Sequence, residues 1–228
     1  MCGRYSQTQL IKSISSLYDL ARSVELIPRY NIAPSQPAPV IIAEDGERVL
    51  DLYRWGLIPS WAKDPIIGNK MINARSETVL EKPSFKRLAK RNRCLVLSDG
   101  FYEWRREEGS KAKMPMRILM KSEELFAFAG LWDSWVDVEG KETRTFTVLT
   151  TSANVLMNKI HNRMPVILRD EFSDAWLDEK VGLQDMTGVF DPYPDHEMEY
   201  YPVSKAVNSP KNDGPECWER FFKLSGNR

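Results

Sequence analysis

The sequence predicts an α+β fold in one domain over residues 1–228, a mostly antiparallel, barrel-like β core with peripheral helices. Three observations predict it. From about residue 39 the chain breaks into short apolar runs, several rich in β-branched or aromatic residues, punctuated by turn formers. No helix alternates regularly with those runs, which argues against a parallel βαβ sheet. A single clear helical period stands near the N-terminus, before the runs begin. There Ser6-x-x-Gln9 has the form of a capping box, and Leu10, Ile11, Ile14, Leu17, Tyr18 and Ala21 follow at helical spacing, so an amphipathic helix is expected over 10–21. Runs 39–43 and 49–55 flank Glu44-Asp-Gly-Glu47, which reads as a hairpin turn. Further strands are expected at 94–98, 116–120, 125–132, 145–150 and 166–168, and short helices at 84–90, 152–160, 170–178 and 215–222. The stretch 183–199, rich in Asp, Pro and Gly, reads as a long surface loop. There is no internal repeat, no low-complexity tract and no linker long enough to divide the chain.

Composition bounds the function classes. The 228 residues are 42% hydrophobic, 28% charged and 11% aromatic, which excludes collagen-like, disordered and disulfide-scaffold proteins. A chain of this length buries roughly 70% of its unfolded surface and needs no covalent staples. No apolar run reaches the ~18 residues of a membrane span, and the first residues lack the basic and apolar regions of a signal peptide. A cytoplasmic protein without membrane contact is expected. Cys2, Cys94 and Cys217 are an odd number at spacings that suit neither a disulfide framework nor a zinc site, which fits a reducing compartment; no metal or other cofactor is expected. The net charge of zero hides an asymmetry. Residues 81–113 carry ten Lys/Arg against five Asp/Glu, whereas 170–200 carry ten acidic residues against the single Lys180. One region can hold a polyanion that the other repels, although two solvated faces of opposite bias explain the same counts.

Several residues carry chemistry. Removal of Met1 leaves Cys2 as the N-terminal residue. Its α-amine, with a pKa near 7.7–8.0, is roughly a quarter neutral at pH 7.4, against roughly a thousandth of a lysine amine. With the thiol two carbons away, that amine can capture an aldehyde as an imine that closes to a thiazolidine; the bland alternative is a residue in a frayed terminus. Trp55-Gly-Leu-Ile-Pro-Ser-Trp61 is either a core-facing turn or a stacking platform for bases. In Asn73-Ala-Arg75-Ser-Glu77, Asn73 offers directed hydrogen bonds and Arg75 a phosphate fork, unless the segment is a plain loop. Glu103, in Asp99-Gly-Phe-Tyr-Glu-Trp104, is either a strand-edge surface charge or a carboxyl that can carry a proton near neutrality in an apolar setting, which suits general acid–base work. His161 precedes Asn-Arg-Met-Pro165 and is either a structural hydrogen-bonder or a proton carrier; His196 lies among acidic residues and reads as solvated. Cys94 and Cys217 have apolar neighbours and read as buried hydrophobes. No Gly-x-Ser-x-Gly, P-loop or dinucleotide fingerprint is present.

Met1-Cys-Gly-Arg-Tyr5, Arg29-Tyr-Asn-Ile-Ala-Pro34, Trp55-Gly-Leu-Ile-Pro59 with Trp61, Asn73-Ala-Arg-Ser-Glu-Thr78, Gly100-Phe-Tyr-Glu-Trp104 and His161-Asn-Arg-Met-Pro165 occur in that order. Together they resemble the SOS response-associated peptidase (SRAP) family of abasic-site processing proteins, from Cys2 to about Leu168 with a weaker echo in 203–208. The resemblance implies a single β-rich domain with a basic cleft for single-stranded DNA. It also implies removal of Met1, by the protein itself in the sense of the peptidase name, and a thiazolidine between Cys2 and the aldehyde of a ring-opened abasic site. Carried over residue by residue, Cys2, Asn73, Glu103 and His161 are the catalytic set. Asn73 orients the sugar or the Cys2 backbone, Glu103 assists ring opening and proton transfer, and His161 positions or protonates the sugar oxygen. Arg4 and Arg75 hold flanking phosphates. Some relatives carry a second aromatic beside the residue matching Trp61; here it is Ala62, which leaves Trp61 to act with Leu57 or Ile58. The expected partner is single-stranded DNA containing abasic sites, bound by a monomer found on damaged DNA in the nucleoid. A cysteine peptidase acting on other proteins and a non-covalent single-strand binding module are the alternatives.

Overall fold

The computed structural model describes residues 2–107, 109 and 112–221. Strand β1 (Tyr5–Gln7) leads into α1 (Ile11–Tyr18), followed by β2 (Leu20–Arg22), β3 (Arg29–Ile32), the hairpin β4 (Pro37–Glu44) and β5 (Glu47–Trp55), and β6 (Asn73–Arg75). Helices α2 (Pro83–Lys86) and α3 (Leu88–Arg91) precede β7 (Arg93–Ser98), β8 (Gly100–Arg106), β9 (Lys113–Met120), β10 (Phe126–Val136) and β11 (Glu142–Ser152). Then come β12 (Arg163–Pro165), β13 (Ile167–Leu168), α4 (Asp170–Leu177) and β14 (Met198–Pro202). Five strands form one sheet in the order β14-β9-β8-β1-β3; the other sheet runs β12-β11-β10-β7-β4-β5-β2, with β13 on β10 and β6 on β11. Pairing is antiparallel except where β5 meets β2 and β11, and where β6 meets β11. This is the α+β, mostly antiparallel, barrel-like architecture that the sequence predicts. No helix among the described residues is long and apolar enough to cross a membrane.

The period of two along each strand decides where the core lies. Val40, Ile42, Cys94, Val96, Phe126, Phe128, Phe146 and Val148 of the larger sheet pack against Tyr5, Phe101, Met116 and Ile118 of the smaller one. The alternate residues Ile41, Leu50, Leu95, Leu97, Ala127, Ala129 and Leu149 point to the opposite face, where Ile14 of α1, Leu88 of α3 and Trp176 of α4 cover them. The central strands are thus buried on both faces, which explains their nearly continuous apolar runs. The β4–β5 hairpin closes through Asp45 and Gly46 at φ 53° and 84°, the left-handed pair that a two-residue turn requires.

Several local expectations give way to tertiary context. Ser6 does not cap α1; it lies in β1 with its hydroxyl donating to Asp99 Oδ1 at 2.6 Å, and Leu10 precedes the helix without a side-chain cap. The helix expected at 152–160 is reduced to a 3₁₀ turn, Met157–Lys159: β11 runs to Ser152, the Ala153 N–H donates to the Asn162 carbonyl, and Asn154 Oδ1 then caps the short turn by accepting the Met157 N–H at 2.8 Å. The helix at 84–90 is broken into α2 and α3. At 215–222 only the 3₁₀ turn Pro215–Cys217 forms, residue 222 lying outside the described residues. The stretch 183–199 is packed rather than free, with Met186, Val189 and Met198 buried.

The N-terminal strand is held on three sides. β1 pairs with β3 and with β8. Asp99, almost fully buried, accepts from the Ser6 hydroxyl and from both the backbone N–H and the hydroxyl of Thr8 at 2.6 and 2.7 Å, with Arg117 Nη2 3.6 Å away. The Arg117 guanidinium also stacks 3.9 Å from the Trp218 ring centre. Asn31 of β3 donates to the carbonyls of Ser209 and Asn212 at 3.0 and 2.7 Å, and Asp213 accepts the N–H groups of Tyr30 and Asn31 at 2.8 and 2.7 Å. Replacing Asp99 with Asn weakens three hydrogen bonds and leaves Arg117 buried without its counter-charge. A loss of about 3–5 kcal/mol is expected, read as a fall in Tm of about 10 °C for a chain of this size. A change below about 2 °C would show that this cluster does not hold β1.

Candidate functional site

Cys2 is fully buried, its side chain part of the inner core with Tyr5 and Phe101. The frayed terminus allowed by the sequence is therefore not what forms. Its carbonyl accepts Asn73 Nδ2 at 2.8 Å, and its thiol points to the Arg4 carbonyl at 3.6 Å. The Tyr102 N–H also donates to that Arg4 carbonyl at 2.9 Å, so the bonding between β1 and β8 continues to Arg4, two residues after Cys2, and to Tyr102, next to Glu103. Burial pushes the Cys2 thiol well above its ordinary range, and the nearby Glu103 charge adds to the shift. Cys2, Asn73 and Glu103 thus meet at one end of the barrel. Glu103 is 4% exposed, which removes the surface-charge reading. Met1 lies outside the described residues.

Strand β11 brings in the remaining motifs. β6 runs parallel to it with Arg75 beside Thr150, and β12 runs antiparallel on its other side with Pro165 beside the same Thr150. Arg75 is exposed at the end of β6, open to a phosphate. Half-buried His161 lies two residues before β12 begins, and its Nδ1 accepts the Arg163 N–H at 3.0 Å. A backbone N–H can only donate, so Nδ1 carries a lone pair and the neutral ring bears its hydrogen on Nε2. Arg163 forms a bidentate pair with Glu77, Nη2 to Oε2 measuring 3.0 Å, and donates to the Thr150 carbonyl at 2.6 Å. Both partners of this pair sit inside motifs already singled out, but a contact between residues 86 positions apart leaves no local signature. His196 is 78% exposed, as its acidic setting predicts, and Cys94 and Cys217 are buried hydrophobes.

The Trp55–Trp61 segment combines both readings. Trp55 is buried and its indole donates to the Ile72 carbonyl at 2.9 Å, whereas Trp61 is 62% exposed. Gly56 makes the bend at φ 120°, and a Cβ there would lie 2.6 Å from the Gly68 carbonyl oxygen, so only glycine fits. The bend is bolted down by Ile58 N–H to Thr145 Oγ1 at 2.8 Å and Ser60 N–H to Asp133 Oδ2 at 2.9 Å. Leu57 and Ile58 are buried and cannot join Trp61 in a wedge; exposed Ile66 shares a notch of about 290 Å³ with it, edged by Lys63 and Lys70. Arg4 also departs from expectation. Its guanidinium donates to Asn31 Oδ1 at 3.0 Å and to the carbonyls of Val207 and Asn208 at 2.6 and 3.3 Å, so it is engaged in holding β1 to the 207–208 segment rather than set out for a phosphate.

Comparison with known proteins adds to this geometry. A family model described as SOS response associated peptidase (SRAP) matches residues 1–210. The chain is 47% identical over 223 residues to "Abasic site processing protein YoqW" of Bacillus subtilis (strain 168), covering 96% of this chain and 99% of that one. It is 46% identical over 220 residues to "Abasic site processing protein YoaM" of the same organism, covering 95% and 96%. A crystal structure of a protein from Bacteroides thetaiotaomicron superposes with a TM-score of 0.86 at 29% identity, covering 97% of this chain and 100% of that one.

Three buried thiols, of which only Cys2 belongs to the site, give the fold a pH signature. Burial raises Cys2 and Cys94 far above the ordinary thiol value, and pushes Cys217 up to about 11. The unfolded chain releases these protons from about pH 9 upward while the folded chain keeps them. The unfolded state then binds fewer protons, so stability falls as pH rises. The urea midpoint is expected to hold between pH 7 and 8 and to drop progressively above pH 9; a midpoint unchanged to pH 10.5 would contradict the thiol burial.

Proposed function

The chain belongs to the SOS response associated peptidase family, and on that premise we propose that it processes abasic sites in single-stranded DNA by a covalent thiazolidine at Cys2. The observation that carries the proposal is the Asn73 Nδ2 bond to the Cys2 carbonyl, which holds the second residue of the chain near the buried Glu103 carboxyl group. The names of its relatives, abasic site processing proteins, point the same way. Met1 is removed, by the protein itself, and the α-amine of Cys2 becomes the first nucleophile. It attacks the aldehyde of the opened sugar and expels water, giving an imine. The Cys2 S–H then adds across the C=N bond, sulfur to carbon and hydrogen to nitrogen, closing a five-membered ring. The raised thiol fits this order, because the sulfur stays protonated until the imine forms beside it.

An abasic sugar is mostly a closed hemiacetal, and opening it needs a proton on the ring oxygen and one removed from the anomeric hydroxyl. Glu103 carries that proton transfer, and His161, its hydrogen on Nε2, positions the sugar oxygen as a donor. Arg75 holds a flanking phosphate. Trp61 and Ile66 offer an apolar face on which a displaced base stacks. The chain acts as one domain and as a monomer, in the cytoplasm on damaged DNA, where the crosslink shields the lesion.

Cys2→Ala is expected to abolish a heat-stable adduct with abasic single-stranded DNA, while Cys94→Ala and Cys217→Ala keep it. Cys2→Ser keeps the amine and is expected to yield a borohydride-trappable imine. A full, heat-stable adduct from Cys2→Ala would sink the thiazolidine; reversible binding without any adduct would leave a binding module, and cleavage of unrelated peptides a peptidase. Single-turnover crosslinking is expected to slow by about 10²-fold or more in Glu103→Gln, within the usual range for general acid–base catalysis, and by less in His161→Ala. The reverse ranking would exchange the two roles. DNA binding by Arg75→Ala is expected to show a reduced salt slope, as lost phosphate contacts release fewer counterions. Trp61→Ala is expected to lose about 1–3 kcal/mol with the slope unchanged. Equal slopes for the two variants would contradict this division.

A further inference from the structure

The mechanism above uses neither Glu77 nor the Arg163 guanidinium, yet these are joined at the junction of the two strands that carry Arg75 and follow His161. The Arg163 side chain is only 14% exposed and lies across β11, donating to the Thr150 carbonyl and hydroxyl on the way to both oxygens of Glu77. Hydrogen bonding from Arg163 holds the Glu77 carboxyl below the usual carboxylate range, with the charge of Arg75 acting in the same direction. Glu77 itself is 51% exposed, so as a stabiliser of the fold the pair is screened and contributes little. Its geometric effect is larger. The same residue whose guanidinium is pinned donates its backbone N–H to His161 Nδ1. Arg163 thus links the Glu77 carboxylate, through its guanidinium, to His161 Nδ1, through its backbone N–H, with the pairing of Arg163 and Ser152 in the β11–β12 ladder between them.

We propose that Glu77 is a positioning residue: by clamping Arg163 across β11 it helps lock the 161–163 turn, keeping Nδ1 of His161 as an acceptor and the ring hydrogen on Nε2. This rests on the crosslinking reading of the site for its kinetic consequence, but not for its structural one. The chain has two histidines, and His196 is 78% exposed, so the imidazole nitrogens of His161 can be assigned in a ¹⁵N-labelled sample by comparison with His196→Gln. At a pH where the rings are neutral, wild-type His161 is expected to show one tautomer, with hydrogen on Nε2. Glu77→Ala is expected to show a mixture, and Arg163→Lys, which keeps the charge but loses the two-pronged fork, the same mixture. Single-turnover crosslinking by Glu77→Ala is expected to slow by about tenfold, the scale of a small misplacement of a reacting group. His161→Ala combined with Glu77→Ala is expected to be no slower than His161→Ala alone. A tautomer unchanged in both Glu77→Ala and Arg163→Lys would overturn the proposal, as would losses that multiply in the double variant. If the wild-type protein forms no adduct, the crosslinking reading falls, and the nitrogen shifts decide the clamp alone.

Discussion

A chain terminus is ordinarily the least ordered part of a fold, and the chemistry proposed here depends on immobilising one. β1 is only three residues long, yet it is inserted between β3 and β8, tied by Ser6 and Thr8 to Asp99, and locked by Arg4 to Asn31 and the 207–208 carbonyls. The Asn73 bond to the Cys2 carbonyl extends that hold to the second residue of the chain. None of these contacts alone outweighs the entropy of ordering a terminus, about 1–2 kcal/mol per residue. Their concentration on five or six residues does. The 203–217 segment is part of the same construction, since Asn31 and Asp213 attach it to β3 beside β1, the strand that follows the cysteine.

An immobilised N-terminal cysteine has a chemical advantage over a lysine. Its α-amine is partly neutral at physiological pH, and its thiol can close the adduct that the amine begins. Burial raises the thiol above its ordinary range, which disfavours the thiolate that competing reactions need. The polyanion proposed as partner needs exposed cations rather than a net positive chain. Arg75 and the lysines edging the Trp61 notch are exposed, whereas Asp170, Asp174 and Glu197 from the acidic stretch line a different groove, with α1, α4 and the 120–126 turn. A zero net charge is therefore compatible with DNA binding, because what matters is where the charges lie.

Much of this was legible in the sequence, and what was not has physical reasons. The central strands and the β4–β5 hairpin follow from apolar runs and an Asp-Gly turn, because local signals and burial agree there. β1, β3 and β14 do not announce themselves: they are short, and side-chain contacts to Asp99, Asp213 and Arg117 do much of the work of fixing them. Ser6-x-x-Gln9 has the form of a cap, but Asp99, 93 residues away, competes for the same hydroxyl and wins. In the site, residue types and order were readable as motifs, and the structure places Asn73 Nδ2 on the Cys2 carbonyl. The engagement of Arg4 in the core scaffold, the burial of Leu57 and Ile58, and the Glu77–Arg163 pair are long-range facts that no spacing encodes.

The central claim is that the second residue of the chain, freed of Met1, condenses with an abasic-site aldehyde. Intact-mass measurement of the purified protein after incubation with an abasic oligonucleotide, followed by mapping of the nuclease-trimmed N-terminal peptide, tests it most directly. The account predicts a protein lacking Met1, an adduct heavier by the oligonucleotide less one water, and a modified peptide that begins at Cys2 with both its amine and its sulfur blocked. An adduct mapped to a lysine, or formed at full yield by a chain that retains Met1, would contradict it.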